Sequence, residues 1–399
     1  MKKRNRSSMS YTIQRQEIVD QFSATRARSE KICQPLSIED YVPQPITDVS
    51  PPKWHLAHTT WFFEQFVLCK FLPDYKEFHP DFAFLFNSYY NEMGERTLRP
   101  ERGFMSRPPV AEVYQYRKHI DQAMLNFMHR ELPEDVLSVI EIGIHHEQQH
   151  QELLVYDLKY ILGNQPTFPV YGEAFNPGKS TIETNWISCP EGLYTIGADG
   201  SSFCYDNELM AHQVFIEPFQ IRNSLVTNEE YLTFMREGGY EQHLLWHAEG
   251  WDYINQKNIK SPLYLHEIDG VWQYYTLNGL KPIEPEKPVQ HISFYEAFAF
   301  AEWAGYRLPT EFEWEGASDN LNWGALWEWT QSAYLPYPRF SKEPGALGEY
   351  NGKFMLNQNV LRGASVATPP NHSRKTYRNF FHASSRWVFN GIRLVKNHQ

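Results

Sequence analysis

The string His145-His146-Glu147-Gln148-Gln149-His150-Gln151-Glu152 carries the densest chemistry in this chain. His146 and His150 are four residues apart, so on a helix they lie one turn apart on the same face. Two imidazoles in that arrangement can converge on one metal ion. They fall in register with Val139, Gly143, Leu154 and Ile161, an apolar face that should point into a core. A buried imidazole needs a partner. The plain alternative is a pair of hydrogen-bonded core histidines, the usual fate of a lone histidine but a poorer account of a pair flanked by carboxylates.

A third ligand must come from another element. Trp54-His55-Leu56-Ala57-His58-Thr59-Thr60-Trp61-Phe62-Phe63 follows Pro51-Pro52, a suitable helix start. Trp54, His58, Trp61 and Phe62 fall within about 100° of one another on a helical wheel, and His55 lies only about 60° from His58. This helix is apolar nearly all round, so periodicity does not choose between His55 and His58.

The elements that must hold these groups read as four amphipathic helices, Tyr11–Cys33, Lys53–Phe71, Ala111–Arg130 and Glu134–Leu162. Pro133, Glu134 and Asp135 open the last of them, and Gly163 closes it. Four such helices suggest a bundle, whose core can host ligands from facing helices. A long irregular stretch from Pro73 to Val110 separates the second and third. It contains Asn87-Ser88-Tyr89-Tyr90-Asn91 and the arginines 96, 99, 102 and 107. A loop of that length in a compact domain is usually functional or disordered, and its aromatic content argues against disorder.

Pro169, Gly172, Pro177 and Gly178 mark a boundary between Phe168 and Ser180. We therefore expect domains at residues 8–168 and 179–399. Beyond the boundary, short Trp-, Tyr-, Val- and Ile-rich runs are broken by Gly, Pro, Asn and Asp. Val226–Arg236 and Tyr295–Trp303 are the best helices there. This is a loop-rich mixed α/β domain, and the whole chain is of the α+β class.

Composition limits the partners. A net charge of −11 over 399 residues argues against a nucleic-acid backbone. No apolar run reaches the ~18 residues of a membrane span. The basic start, Met1-Lys2-Lys3-Arg4, lacks a following apolar stretch and does not read as a secretion signal. Cys33, Cys69, Cys189 and Cys204 show no paired spacing, which fits a reduced, cytoplasmic protein. Aromatic residues make up 16% of the chain, enough to wall a pocket that takes a quaternary ammonium group as well as to pack the core.

At this point the chain resembles two known families. The first half resembles the DinB-like metal-binding four-helix bundles. The second resembles the formylglycine-generating-enzyme domain, a C-type-lectin-like fold. The second likeness rests on Val226-Thr227-Asn228-Glu229-Glu230-Tyr231, Pro288-Val289-Gln290-His291, Gly305-Tyr306-Arg307-Leu308-Pro309-Thr310-Glu311-Phe312-Glu313-Trp314-Glu315, Trp327-Glu328-Trp329-Thr330, Leu361-Arg362-Gly363-Ala364-Ser365 and Gly391-Ile392-Arg393-Leu394. In this order the two halves resemble the ergothioneine-type sulfoxide synthases over roughly residues 10–397.

That resemblance implies an Fe(II) enzyme with His58, His146 and His150 as ligands. His58 is preferred to His55 only because it completes the family's Leu-Ala-His segment. The implied reaction uses O2 to join the sulfur of cysteine to C2 of the imidazole of hercynine, giving a sulfoxide. Three neutral imidazoles leave iron positions open for the reactants. Glu152, which completes the His-x3-His-x-Glu motif, projects about 200° from His150 and reads as a supporting group, not a ligand. Gln149 is the implied substrate-binding residue beside the metal. Tyr89 or Tyr90 is the implied proton donor, the choice being open, and Arg99 and Arg102 would hold the cysteine carboxylate. Phe380 and Phe381 stand where members using γ-glutamylcysteine carry a Trp-Asp pair, which points to the subgroup using free cysteine. A γ-glutamylcysteine or selenium donor is the related alternative. No cysteine follows Cys204, so the copper-thiolate chemistry of formylglycine-generating enzymes is not expected, and the second domain should serve as a substrate wall.

Three rival readings stand beside this one, the barest being a non-enzymatic C-type-lectin-like binding module, which would leave the three histidines idle. His146-Glu147-Gln148-Gln149-His150 matches the His-Glu-x-x-His string of zinc metallohydrolases, with Glu147 as general base. The metzincin continuation is missing, since Leu153 and Tyr156 occupy its glycine and histidine positions. A zinc-dependent DinB-type thiol S-transferase would explain the bundle but gives the second domain no task.

Overall fold

The structure, a computed structural model, describes residues 8–172, 175–179, 183–342, 348 and 350–396. Glu173, Ala174 and Ser180 of the expected boundary segment, and residues 397–399 at the end of the expected second domain, lie outside them. The chain divides into two compact units between Asn164 and Gln165. The first is helical and the second mixes short helices with small sheets, so the chain is α+β.

The helical unit is built on α1 (Ser8–Cys33), α2 (Pro52–Phe63), α3 (Val110–Met128) and α4 (Glu134–Gly163). Three of these begin directly after a proline in extended conformation: Pro51 at ψ 142°, Pro109 at ψ 158° and Pro133 at ψ 155°. Proline fixes φ near the helical value and lacks an N–H that would go unpaired there, so it ends a loop and starts a helix cleanly. α2 continues through a π-helical turn, Glu64–Leu68, to Phe71. Within that turn the Glu64 carboxylate is buried and accepts hydrogen bonds from Tyr75 Oη, Tyr116 Oη and the Phe78 N–H. The helix therefore departs from regular α geometry where an acid must be satisfied from three directions.

α4 packs on α1 and α2, and α2 also packs on α3. Gly143 sets how closely α2 and α4 approach. A Cβ there would meet Phe63 Cε1 at 2.6 Å and Phe62 Cε1 at 2.9 Å. Without one, both rings rest on the α4 backbone a turn before His146.

The stretch between α2 and α3, expected to be irregular, holds short helical turns at Phe82–Leu85, Asn91–Met93 and Arg99–Phe104. Side chains tie it down. Lys53 Nζ at the start of α2 donates to the Met105 and Pro108 carbonyls at 2.6 and 3.0 Å. The Asn87 amide donates to the Tyr90, Gly94 and Glu95 carbonyls, and its oxygen accepts from the Tyr90 N–H.

In the second unit, β1 (Trp186–Cys189) and β4 (Phe219–Arg222) join β8 (Tyr306–Arg307) and β13 (Val395–Lys396) in the order β1-β4-β13-β8. β9 (Trp327–Ala333), β10 (Asn359–Gly363), β11 (Asn379–Phe381) and β12 (Asn390–Gly391) pair as β11-β10-β9-β12. A hairpin, β2 (Gly192–Ile196) with β3 (His212–Ile216), and a meander of β5 (Leu265–Ile268), β6 (Val271–Thr276) and β7 (Gly279–Pro282) complete the strands described.

Three helices of this unit start with the same device. Thr227 with Glu230, Ser293 with Glu296 and Thr310 with Glu313 each form a reciprocal capping box. Each capping glutamate also pairs with an arginine, respectively Arg222, Arg386 and Arg307. The other quoted motifs meet in the same manner: Glu328 with Arg393, Glu315 with Arg362, and Glu311 with Arg378. Those acids and their arginines are buried, so the signature residues of this domain are a framework of paired charges.

Candidate metal centre

His58 from α2 and His146 and His150 from α4 form a group whose potential ligand atoms all lie within 4.8 Å of one another. Ring centroids are 5.0 Å apart for His58 and His146, 4.7 Å for His58 and His150, and 4.6 Å for His146 and His150. The helical spacing accounts for the α4 pair. Trp54 and Trp61, four residues before and three after His58, fix the third ring by stacking on it at 4.5 and 5.4 Å. Phe62 packs on His146 at 4.8 Å.

The hydrogen bonds decide which nitrogen is exposed to a metal. His58 Nδ1–H donates to the Phe86 carbonyl at 2.6 Å, leaving an Nε2 that is buried and has no hydrogen-bond partner. A buried acceptor left over in this way calls for an explanation, and a cation supplies one. His55 Nδ1 is 2.9 Å from His150 Nδ1, and His55 Nε2 is 2.9 Å from Asp157 Oδ2. The structure thus groups His58 with the α4 pair and puts His55 behind His150. Burial lowers the pKa of His58 and His150 well below the usual histidine value. It pushes His146 down to about 3, against the pull of the Glu147 charge. All three imidazoles are neutral at neutral pH, the form that ligates metal.

Glu147 faces a different set of partners. Its Oε2 accepts from Arg26 Nη1 at 2.9 Å, and its Oε1 accepts from Ser29 Oγ at 2.6 Å and Arg117 Nη2 at 3.1 Å. Arg117 also reaches the Leu56 carbonyl, and Arg26 reaches Thr60 and Asp121. Burial alone would raise the Glu147 pKa, but Arg26, Arg117 and the Ser29 hydrogen bond hold it at about 2. This acid is a structural anchor among α1, α3 and α4, which removes it as general base for a metal-bound water. Glu152 accepts from Tyr156 Oη at 2.5 Å, one turn along its own helix, and is not in the histidine group.

The remaining predicted site residues differ in their surroundings. Arg102 is buried with its guanidinium carbon 3.4 Å above the Trp54 ring, and donates to Ser50 Oγ and Ser88 Oγ, both at 2.9 Å. Its Nε, like Trp54 Nε1, is buried without a hydrogen-bond partner. Arg99, by contrast, is exposed and donates to the Asp48 carbonyl at 2.6 Å. Tyr90 is buried with its ring 5.7 Å from Trp61 and 5.2 Å from Phe66, one ring removed from His58, and half-buried Tyr89 packs on it at 4.6 Å. Gln149 is half-buried on α4 and lies between His146 and His150 in the sequence. Phe380 and Phe381 lie on β11 in the second unit, half-buried. Phe380 stacks on Tyr334 at 4.1 Å and Phe381 meets Trp387 edge-on at 5.7 Å.

Sequence reasoning missed Asp157 and the Phe86 carbonyl. Asp157 had a signal, since it lies seven residues after His150 and so on the same face of α4. A backbone carbonyl on a loop leaves none.

Comparison with known proteins follows the same division. Residues 21–154 match the DinB superfamily, and residues 173–321 match the sulfatase-modifying factor enzyme 1-like domain. The chain is 27% identical over 440 residues to the hercynine oxygenase of Mycolicibacterium smegmatis, covering 96% of this chain and 99% of that protein. It is 30% identical over 315 residues to the hercynine oxygenase of Mycobacterium tuberculosis, covering 66% and 73% respectively. The formylglycine-generating enzyme of Thermomonospora curvata is 29% identical over 153 residues, covering 34% of this chain and 49% of that protein. Among the described residues, no helix is long and apolar enough to cross a membrane.

Proposed function

The chain belongs to the hercynine oxygenase family, and on that premise we propose that it is a non-haem iron(II) oxygenase that joins the sulfur of cysteine to C2 of the hercynine imidazole as a sulfoxide. The observation that carries the reading is the group of three neutral histidines, with the lone pair of His58 Nε2 buried and unpartnered. All-nitrogen ligation by three imidazoles suits a first-row metal and leaves positions for reactants. Iron(II) held there would supply electrons to O2 and acidify a thiol.

The chain's own residues do the rest. Arg102 offers a buried guanidinium for the cysteine carboxylate. Burial, then the charge of Arg99, works against its cationic form, and an anionic ligand relieves that cost. Arg99 contributes field at the surface. Tyr89 or Tyr90 holds a proton at its phenol oxygen for delivery as the carbon–sulfur bond forms. Aromatic rings provide faces for the trimethylammonium group of hercynine. Gln149 orients the imidazole of the substrate. Phe380 and Phe381 stand in the sequence where γ-glutamylcysteine-using members carry a Trp-Asp pair, and the absence of an acid to pair with a charged amine favours free cysteine over γ-glutamylcysteine.

The committed state of Glu147 speaks against the metallohydrolase reading, and the likeness to hercynine oxygenases across both halves speaks against a bundle-only thiol transferase. The test is anaerobic loading with iron(II), hercynine and cysteine, followed by an oxygen pulse and mass spectrometry. The mixed sulfoxide is expected, its formation lost in His150→Ala. Cystine alone, or zinc-dependent peptide cleavage, would overturn the proposal.

A further inference from the structure

His58 and His150 are not backed alike. His58 rests on a neutral carbonyl, that of Phe86. His150 rests on a second histidine, which in turn rests on a carboxylate. We propose that His55 and Asp157 are positioning residues, a two-step relay that fixes His150 as its Nδ1–H tautomer and makes its Nε2 a stronger donor than that of His58. This rests on the metal-centre reading above.

The proton inventory supports it. Two ring nitrogens 2.9 Å apart share one hydrogen. Asp157 Oδ2 already accepts from the Ser50 N–H at 2.8 Å and lies 2.9 Å from His55 Nε2, so it acts as an acceptor. His55 must then donate through Nε2, which leaves its Nδ1 with a lone pair. The shared hydrogen therefore sits on His150 Nδ1, and His150 Nε2 carries the lone pair. The reverse arrangement would put a proton on His150 Nε2 and leave His55 Nε2 facing the carboxylate lone pair to lone pair. His55 and Asp157 are both buried, so water does not substitute for either link. A carboxylate behind a ligand histidine raises the basicity of that ligand, and here the effect is transmitted through one more ring. Sequence alone left His55 competing with His58 for the metal. The relay gives His55 a separate task and explains why Trp54-His55-Leu56-Ala57-His58 carries both.

The experiment uses the full chain after chelator treatment, titrated anaerobically with Co(II) and read by its d–d absorption. Nitrogen-15 spectra of the histidines give the tautomer of His150. His55→Phe should weaken Co(II) affinity by about 10–100-fold. His55→Gln, whose amide oxygen can accept from His150 Nδ1–H, should recover most of that loss, which a purely structural role would not produce. Circular dichroism checks folding of each variant. Unchanged affinity in folded His55→Phe, with binding lost in His150→Ala, overturns the relay and leaves the metal centre standing. Unchanged affinity in His150→Ala overturns the metal-centre reading itself. Should His55→Phe not fold, the wild-type spectrum still decides: His150 found as the Nε2–H tautomer refutes the proposal, and the Nδ1–H tautomer supports it.

Discussion

Arg26 and Glu147 meet at 2.9 Å with both side chains buried, which turns the acid of the His-Glu-x-x-His string toward α1 and α3. Removing one partner of such a pair leaves the other charge buried alone. Glu147→Gln should therefore cost about 3–5 kcal/mol of stability. Metal content at low temperature should be retained, because the carboxylate does not touch the ligands. Thermal unfolding with metal analysis checks both; a stable but inactive variant would restore Glu147 to a catalytic role.

Acid should destabilise the helical unit continuously, first through its histidines and then also through Glu147. The histidines are held neutral in the folded chain, His146 until about pH 3, whereas in the unfolded chain they charge near pH 6.5. Glu147 is held charged until about pH 2, against 4.5 when unfolded. For both, the unfolded state binds more protons as pH falls, so stability rises with pH. The histidine contribution is fully present above about pH 6.5 and is lost as pH falls from there towards 3. That of Glu147 is present above about 4.5 and is lost between there and 2. Denaturant midpoints measured from pH 7 to 3 should fall throughout, and the lower limb should flatten in Glu147→Gln.

Gly143→Ala adds a methyl where Phe62 and Phe63 already touch the α4 backbone. Overpacking of this kind costs about 1–3 kcal/mol. Since Phe62 also packs on His146, separation of the helices should lower metal affinity together with the melting temperature. Equal affinity in the variant would show that the two helices can part without moving the ligands.

The contrast between Arg102 and Arg99 predicts unequal mutants. Loss of a charge-assisted hydrogen bond costs about 1.5–3 kcal/mol, or roughly 10–150-fold. Arg102→Met should raise KM for cysteine within that range, while Arg99→Ala should change it by less than about threefold. Steady-state kinetics with cysteine varied at saturating hercynine distinguishes them, and equal effects would contradict the structural difference.

The tyrosine pair is tested by Tyr89→Phe and Tyr90→Phe, alone and together. Loss of general acid catalysis is typically about 10²–10⁴-fold. One substitution should divert turnover from sulfoxide towards oxidation of the thiol alone, with iron content unchanged. An unaltered product ratio in the double variant would make both residues packing groups around Trp61 and Phe66.

Much of the architecture was legible before any coordinates. Helical periodicity, proline starts and the change of texture after residue 168 distinguish a helical half from a loop-rich half, and local rules of this kind act over one or two turns of chain. The same periodicity pairs His146 with His150. It could not choose between His55 and His58, because α2 is buried on every side and an all-round apolar helix has no preferred face. That choice was made by tertiary packing: Trp54 and Trp61 clamp His58 between them, the Phe86 carbonyl arrives from a loop 28 residues away, and Asp157 takes His55. The same holds for charge. Glu147, Arg102 and Arg99 look alike in sequence as polar residues near a motif. Which is locked in an ion pair, which is buried over a ring and which is left in water depends on partners brought from distant segments, and no local rule contains that information.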